Sequence, residues 1–206
     1  MDAVVFDIGN VLIRWNAAHA IGAGVGAEQA RAFLSAHDFD FAAWNHEQDA
    51  GRTWDEGEAL AARAHPHWAQ AVRAYRRHFD LSLTGAVEDT VAVLRELHAG
   101  EVPLFALTNW SAELFPVALE RFDFLGVFED IVVSGVEGVA KPDPEIFTIL
   151  EERIRHRAGL EHAVFIDDSP PNVHAATAAG MDAILFTETG HLRGDLRARG
   201  LPLRCG

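Results

Sequence analysis

The sequence predicts an α/β fold in which a parallel sheet lies between helices, with a small all-helical segment inserted near the start. Three observations carry that prediction. Short, nearly continuous apolar runs recur along the chain, the pattern of strands buried on both faces. Stretches with helical periodicity separate them, as in strands joined by crossover helices. The stretch 16–82 breaks this alternation: it carries helical runs but no convincing strand.

The first strand is read at 3–6 (AVVF). The insertion follows, with helical runs at 27–37, 53–64 and 68–79. A parallel crossover needs only about a dozen residues, so 16–82 is read as a helical subdomain over the C-terminal edge of the sheet, where open α/β sheets bind ligands. Residues 1–15 and 83–206 then form the core. Val87, Val91, Leu94 and Leu97 fall at helical spacing before a stop at Gly100. The second strand is read at 103–108 (PLFALT) and the third at 131–134 (IVVS). Asp143-Pro144 is a helix start, Asp as N-cap and Pro at the first helical position; Ile146, Phe147, Leu150 and Ile154 form its apolar face. Strands at 163–166 and 183–186 flank an Ala-rich helix, 171–179, closed by Gly180. The whole reads as a Rossmann-like three-layer core.

Length fits one such domain with an insertion, since a domain averages about 150 residues and this chain has 206. Seventeen basic against 31 acidic residues give a net charge of −14, which disfavours a nucleic-acid partner. Arg153, Arg155 and Arg157 interleave with His156 as a solvated helix end rather than a basic patch. The lone cysteine, Cys205, excludes a disulfide framework and a Cys-based zinc site. No apolar run approaches the roughly 20 residues of a membrane span, and the opening MDAVVFD lacks a basic leader region, so the expectation is a cytoplasmic protein without a membrane partner. One detail stands out. Every basic residue is Arg except Lys141. A chain so biased would put Arg on an indifferent surface, so Lys141 marks a place that wants a compact ammonium.

Asp7 follows the first strand, Thr108-Asn109 ends the second, Asp167-Asp168 follow the fourth, and Lys141 precedes a helix start. Parallel strands bring all of them to one sheet edge. Carboxylates converging there repel one another unless a cation is present. Three carboxylates with little sulfur or imidazole suit a hard ion, Mg²⁺ in particular.

Four segments together (Asp7-Ile-Gly-Asn-Val, Leu107-Thr-Asn, Lys141-Pro-Asp-Pro and Phe165-Ile-Asp-Asp-Ser) resemble the haloacid dehalogenase-like (HAD) hydrolase superfamily. The resemblance runs from Ala3 to about Phe186, with the motifs in family order and the insertion where that family carries a helical cap. It implies Asp7 as nucleophile, and Asp7, the Gly9 carbonyl, Asp167 and Asp168 as Mg²⁺ ligands. Thr108 and the Asn109 backbone N–H would hold phosphate, and Lys141 would offset charge on nucleophile and phosphoryl group. The implied reaction is hydrolysis of a small phosphorylated metabolite through an aspartyl-phosphate, by a monomer or homodimer. Trp15 and Trp110 are the aromatic residues expected to line the substrate pocket, where they can stack on a sugar face.

One position departs from the family pattern. Most phosphatases of this family carry, two residues after the nucleophile, an Asp that protonates the leaving group; here that residue is Gly9. The Asp-x-Gly-Asn-Val form resembles a subgroup that includes bacterial α-glucose-1-phosphate phosphatases, and a sugar C1 oxygen needs acid assistance less than an ordinary alkoxide. Gly9 argues against a phosphomutase. It leaves two alternatives to the phosphatase: a haloacid dehalogenase using Asp7, and a catalytically silent phosphate-binding protein. His46 and Glu47 in the insertion are the candidates for a replacement acid. Gly22-Ala-Gly-Val-Gly26 reads as a turn, and His65 and His67 as surface residues.

Overall fold

The computed structural model describes residues 2–187 and 191–204; Cys205 lies outside them. Strand β1 (Ala3–Phe6) is followed by a short strand β2 (Ile13–Trp15) and five helices, α1 (Ala17–Val25), α2 (Ala27–Leu34), α3 (Phe41–Asp49), α4 (Trp54–Ala64) and α5 (Ala69–Arg77). Strand β3 (Leu83–Ala86) then leads into α6 (Glu88–Ala99), β4 (Leu104–Thr108), α7 (Phe115–Arg121), β5 (Asp130–Val133), α8 (Ser134–Glu137) and α9 (Pro144–Ile154). The chain ends with β6 (Ala163–Asp167), α10 (Pro170–Ala178), β7 (Asp182–Leu185) and α11 (Leu192–Ala198).

The main sheet has the order β5-β4-β1-β6-β7, and every neighbouring pair is parallel. The three inner strands are buried along their whole length, which is why they read as unbroken apolar runs. Phe6 pairs with both Ala106 and Ile166. Asp7 therefore leaves the sheet level with Leu107 and Asp167, and the three chain segments that carry the polar motifs emerge at one edge. The Asp143 side chain accepts from the Glu145 N–H at 2.9 Å and Pro144 opens α9, as the sequence predicts.

Two apolar layers cover the sheet. On one face Ile146, Phe147 and Leu150 of α9 pack with Phe105 and Phe165. On the other, a single cluster runs from Val4 and Phe6 through α6 into the helical segment, reaching Phe33, Trp54 and Tyr75. The helical segment thus shares its apolar interior with one face of the sheet.

Two local features differ from the sequence reading. β2 and β3 form an antiparallel pair, with an irregularity at Arg14/Trp15, at the two ends of the insertion. Strands of three and four residues containing Arg14, Thr84 and Gly85 offer little apolar signal. The glycines at 22 and 24 are not a turn but lie within α1, which ends at Gly26 with φ +88°. A Cβ at Gly24 would come within 2.5 Å of the Ala74 Cβ, so glycine there lets α1 and α5 pack closely.

Candidate active site

Lys141 is the hub of the sheet edge. Its side chain is buried, and Nζ donates to Asp7 Oδ1 at 2.8 Å, to Asp167 Oδ2 at 2.6 Å and to the Leu107 carbonyl at 2.8 Å. All three ammonium donors are therefore used. Asn109 fixes the loop that delivers this lysine: its Nδ2 donates to the Lys141 carbonyl and its Oδ1 accepts from the Lys141 N–H, both at 2.8 Å. Asp167 is held from its other side by Asn172 Nδ2, at 3.0 and 3.1 Å to its two oxygens, and by the Ser169 N–H at 2.8 Å.

Asp7, Asp167 and Asp168 each bring a carboxylate oxygen within 4.8 Å of the others. One ammonium cannot balance three carboxylates at that range. Burial is the main reason that Asp7 is pushed up to about 7; Lys141 opposes it and the charge of Asp167 reinforces it. Asp168 is also held above the usual carboxylate range, first by burial and then by Asp167, while the Asn10 side chain pulls the other way. For Lys141, burial works to depress the ammonium, but Asp7 and Asp167 outweigh it and hold its pKa above the ordinary value. An all-oxygen, over-anionic cluster of this kind fits a hard divalent cation. The Gly9 position adds room: a Cβ built there would meet only Asp7 Oδ2, at 4.0 Å.

A cavity of about 200 Å³ opens between this edge and the helical segment. Of the residues expected from the sequence, Asp7, Gly9, Asn109, Lys141 and Asp168 line it, as do Trp15 and Trp110. Asp167 and Thr108 stand behind that lining, both almost wholly buried. Thr108 Oγ1 has no hydrogen-bond partner among the described residues, although it is buried at the C-terminal end of β4. A buried hydroxyl without a partner is costly, and a phosphate oxygen would satisfy it.

The upper wall is aromatic. Trp15 Nε1 donates to the Tyr75 hydroxyl at 3.1 Å, and Trp110 packs edge-on against Phe79 and Phe115. Trp54 ties the helical segment to the core: its Nε1 donates to Ser111 Oγ at 2.7 Å and its backbone N–H to Glu113 Oε1 at 2.8 Å.

His46 and Glu47 do not reach this cavity. Both are exposed on the outer side of α3, and the residues of that helix that line the cavity are Asn45 and Asp49. A helix turns about 100° per residue, so Glu47, two positions short of Asp49, faces away from it, and His46 lies about 100° round from Asn45 on the exposed side. The sequence assigns no separate role to Asn10, although it stands in the first motif, or to Asn172. Asn10 sits at φ +55°, a left-handed conformation that Asn tolerates, accepts from the Trp15 N–H at 3.1 Å and lines the cavity. His65 and His67 are indeed peripheral, gathered around Asp38, with His67 Nε2 at 2.8 Å.

A family model described as haloacid dehalogenase-like hydrolase matches residues 1–180. The chain belongs to that family. Among solved structures, a HAD family enzyme from Bacteroides thetaiotaomicron in magnesium complex shares the fold, with TM-score 0.73 and 19% identity, over 96% of this chain and 98% of its own. Among curated relatives, the sesquiterpene phosphatase astK of Aspergillus oryzae is 33% identical over 98 residues, 48% of this chain and 49% of its own length. The drimenol cyclase drtB of Aspergillus calidoustus is 26% identical over 186 residues, 89% of this chain and 34% of its own length. This HAD-like chain thus spans between a third and a half of the length of these two relatives. Among its described residues, no helix is long and apolar enough to cross a membrane.

Proposed function

We propose that this HAD-like hydrolase is a phosphatase acting on a small phosphate monoester through an aspartyl-phosphate on Asp7. The observation that carries the reading is the shared charge at the sheet edge: Lys141 bridges Asp7 and Asp167, Asp168 completes the carboxylate cluster, and the Thr108 hydroxyl beside them has no partner among the described residues. Asp7, the Gly9 carbonyl, Asp167 and Asp168 would hold Mg²⁺, which supplies charge neutralisation between nucleophile and phosphate dianion. Lys141 engages Asp7 Oδ1, and Oδ2 lies on the open Gly9 side as the attacking oxygen. Thr108 and the Asn109 backbone N–H take charge that spreads over the phosphoryl oxygens. Asn109 also holds the loop of Lys141 through its side chain. Water then hydrolyses the acyl phosphate and restores Asp7. The named relatives with phosphatase activity and with bound magnesium support this reading.

The cavity is smaller than the about 300 Å³ at which drug-sized pockets begin, so the organic group is compact. Sugar-1-phosphates suit it, with Trp15 and Trp110 against a sugar face. The test is a panel with Mg²⁺ and with EDTA that includes glucose-1-phosphate, glucose-6-phosphate, a short isoprenyl phosphate and 2-chloropropionate. Mg²⁺-dependent phosphate release that disappears in Asp7→Asn is the expected outcome. Activity on 2-chloropropionate that survives EDTA would replace the phosphatase with a dehalogenase. Phosphate binding with no turnover of any ester would leave a silent binding protein.

A further inference from the structure

We propose that Asp49, at the end of α3 in the helical segment, is the general acid and base that Gly9 cannot be. The inference rests on the phosphatase reading above. In a phosphoryl transfer the leaving oxygen departs roughly in line with attack, on the side away from the nucleophile. Asp7 attacks from the sheet edge, so the leaving group lies toward the helical segment. Asp49 lines the same cavity as Asp7 and Lys141 from that opposite side.

The carboxyl group is held in place. Asn45 Nδ2 donates to Asp49 Oδ2 at 2.9 Å, from one helical turn earlier. The Ser134 hydroxyl of α8 donates to the Asp49 carbonyl at 2.5 Å, anchoring this end of α3 to the core. Two residues on, a Cβ at Gly51 would lie 3.1 Å from the Gly138 Cα, so the helical segment and the core meet backbone to backbone here. The Asp49 side chain is therefore positioned by the core itself and not only by its own helix.

Its surroundings suit proton transfer. The contacts to the carboxyl group, Asn45 and the Ser111 N–H, are uncharged, and the Tyr75 hydroxyl of α5 lies close enough to feel its charge. Across the cavity the charged groups are Asp7, Asp168 and Lys141. Burial pushes Asp49 up to about 7, with the Ser111 N–H opposing. A carboxyl group poised there can serve as acid and then as base near neutral pH. In the first step an Asp7 oxygen forms a bond to phosphorus, the ester P–O bond breaks, and the Asp49 proton goes to the departing oxygen to give an alcohol. In the second, water adds to phosphorus, Asp49 takes its proton, and the bond to Asp7 breaks to release phosphate.

The experiment compares wild type and Asp49→Asn, with Mg²⁺, across monoesters from 2,4-dinitrophenyl phosphate to an alkyl phosphate. Asp49→Asn should lose about 10²- to 10⁴-fold on the alkyl ester and under about tenfold on the dinitrophenyl ester, whose leaving group needs no proton. The alkaline fall in kcat/KM on the alkyl ester should disappear, and Asp49→Glu should recover part of the rate. Equal loss across the series, or no loss on the alkyl ester, overturns the proposal. Should Asp49→Asn fail to fold, wild type alone still decides: a shallow dependence on leaving-group pKa supports the acid, and the steep dependence of unassisted departure overturns it. Absence of any Asp7-dependent hydrolysis, even of the dinitrophenyl ester, would remove the phosphatase reading and this inference together.

Discussion

The sheet edge and the helical segment meet at one cavity, yet they are built in opposite ways. At the sheet edge the buried groups are charged: Asp7, Asp167 and Lys141 hold one another, with Asn109 and Asn172 clamping two of them. In the helical segment the large buried groups are rings: Trp54 stands between Trp44, at 5.3 Å, and Tyr75, at 5.6 Å. A charge cluster of this kind fails when its lysine is lost, because the remaining carboxylates stay buried and uncompensated. An aromatic cluster loses contacts in proportion to what is removed. On the proposed phosphatase reading, chemistry common to all substrates belongs to the sheet edge. On the same reading, discrimination among substrates, and the proton that a poor leaving group needs, belong to the segment above it.

Substitutions can break this division. Asp7→Asn should lower kcat by at least about 10⁴-fold on every ester, with the circular dichroism spectrum unchanged; a loss confined to some esters would take the shared chemistry away from the sheet edge. Lys141→Met should cost about 3–5 kcal/mol in urea unfolding, since Asp7 and Asp167 would be left without their cation. A cost below about 1 kcal/mol would show that the cluster does not depend on it.

The pH dependence of stability sharpens the contrast from the other side. The folded Asp49 titrates near 7, above its range of about 4 in an unfolded chain. Between those values the folded state keeps a proton that the unfolded state has lost, so stability falls as pH rises through that window. Asp7 acts in the same direction. Asp49→Asn should flatten the decline of Tm between pH 5 and 8 by about a few degrees, leaving the part due to Asp7.

Trp54→Phe removes one buried hydrogen bond, to Ser111, while keeping an aromatic ring. It should cost about 1 kcal/mol and change turnover of the dinitrophenyl ester little. Arg76→Ala, which breaks surface pairs to Asp55 and Glu113, should cost under about 1 kcal/mol, and less at high salt.

The same division governs what the sequence reveals. Apolar runs make β1, β4 and β6 legible, and polar residues ending such runs stand out: Asp7, Thr108 and Asp167 are read directly. Lys141 is marked by being alone among arginines. The helical segment is harder. α1 contains Gly22 and Gly24, poor helix formers by local propensity, and it forms because α5 packs against it. Asp49 looks like any acid on the polar face of a helix, as His46 and Glu47 do. Only the docking of α3 on α8 distinguishes the face carrying Asn45 and Asp49, and that contact is long-range. The β2–β3 pair is hidden for the same reason, since its short strands are brought together by the helical segment between them.

The lysine also has a practical consequence. Lys141 carries the one ε-amine in the chain, and its side chain is 1% exposed. The acyl group of an amine-reactive reagent reaches Lys141 only when the sheet edge opens. The rate at which that site is labelled is then a clock for opening. Because the amine lost is the one that bridges Asp7 and Asp167, each tick of that clock is also a molecule whose sheet-edge charge has been unbalanced, and on the proposed reading labelling and inactivation should advance together.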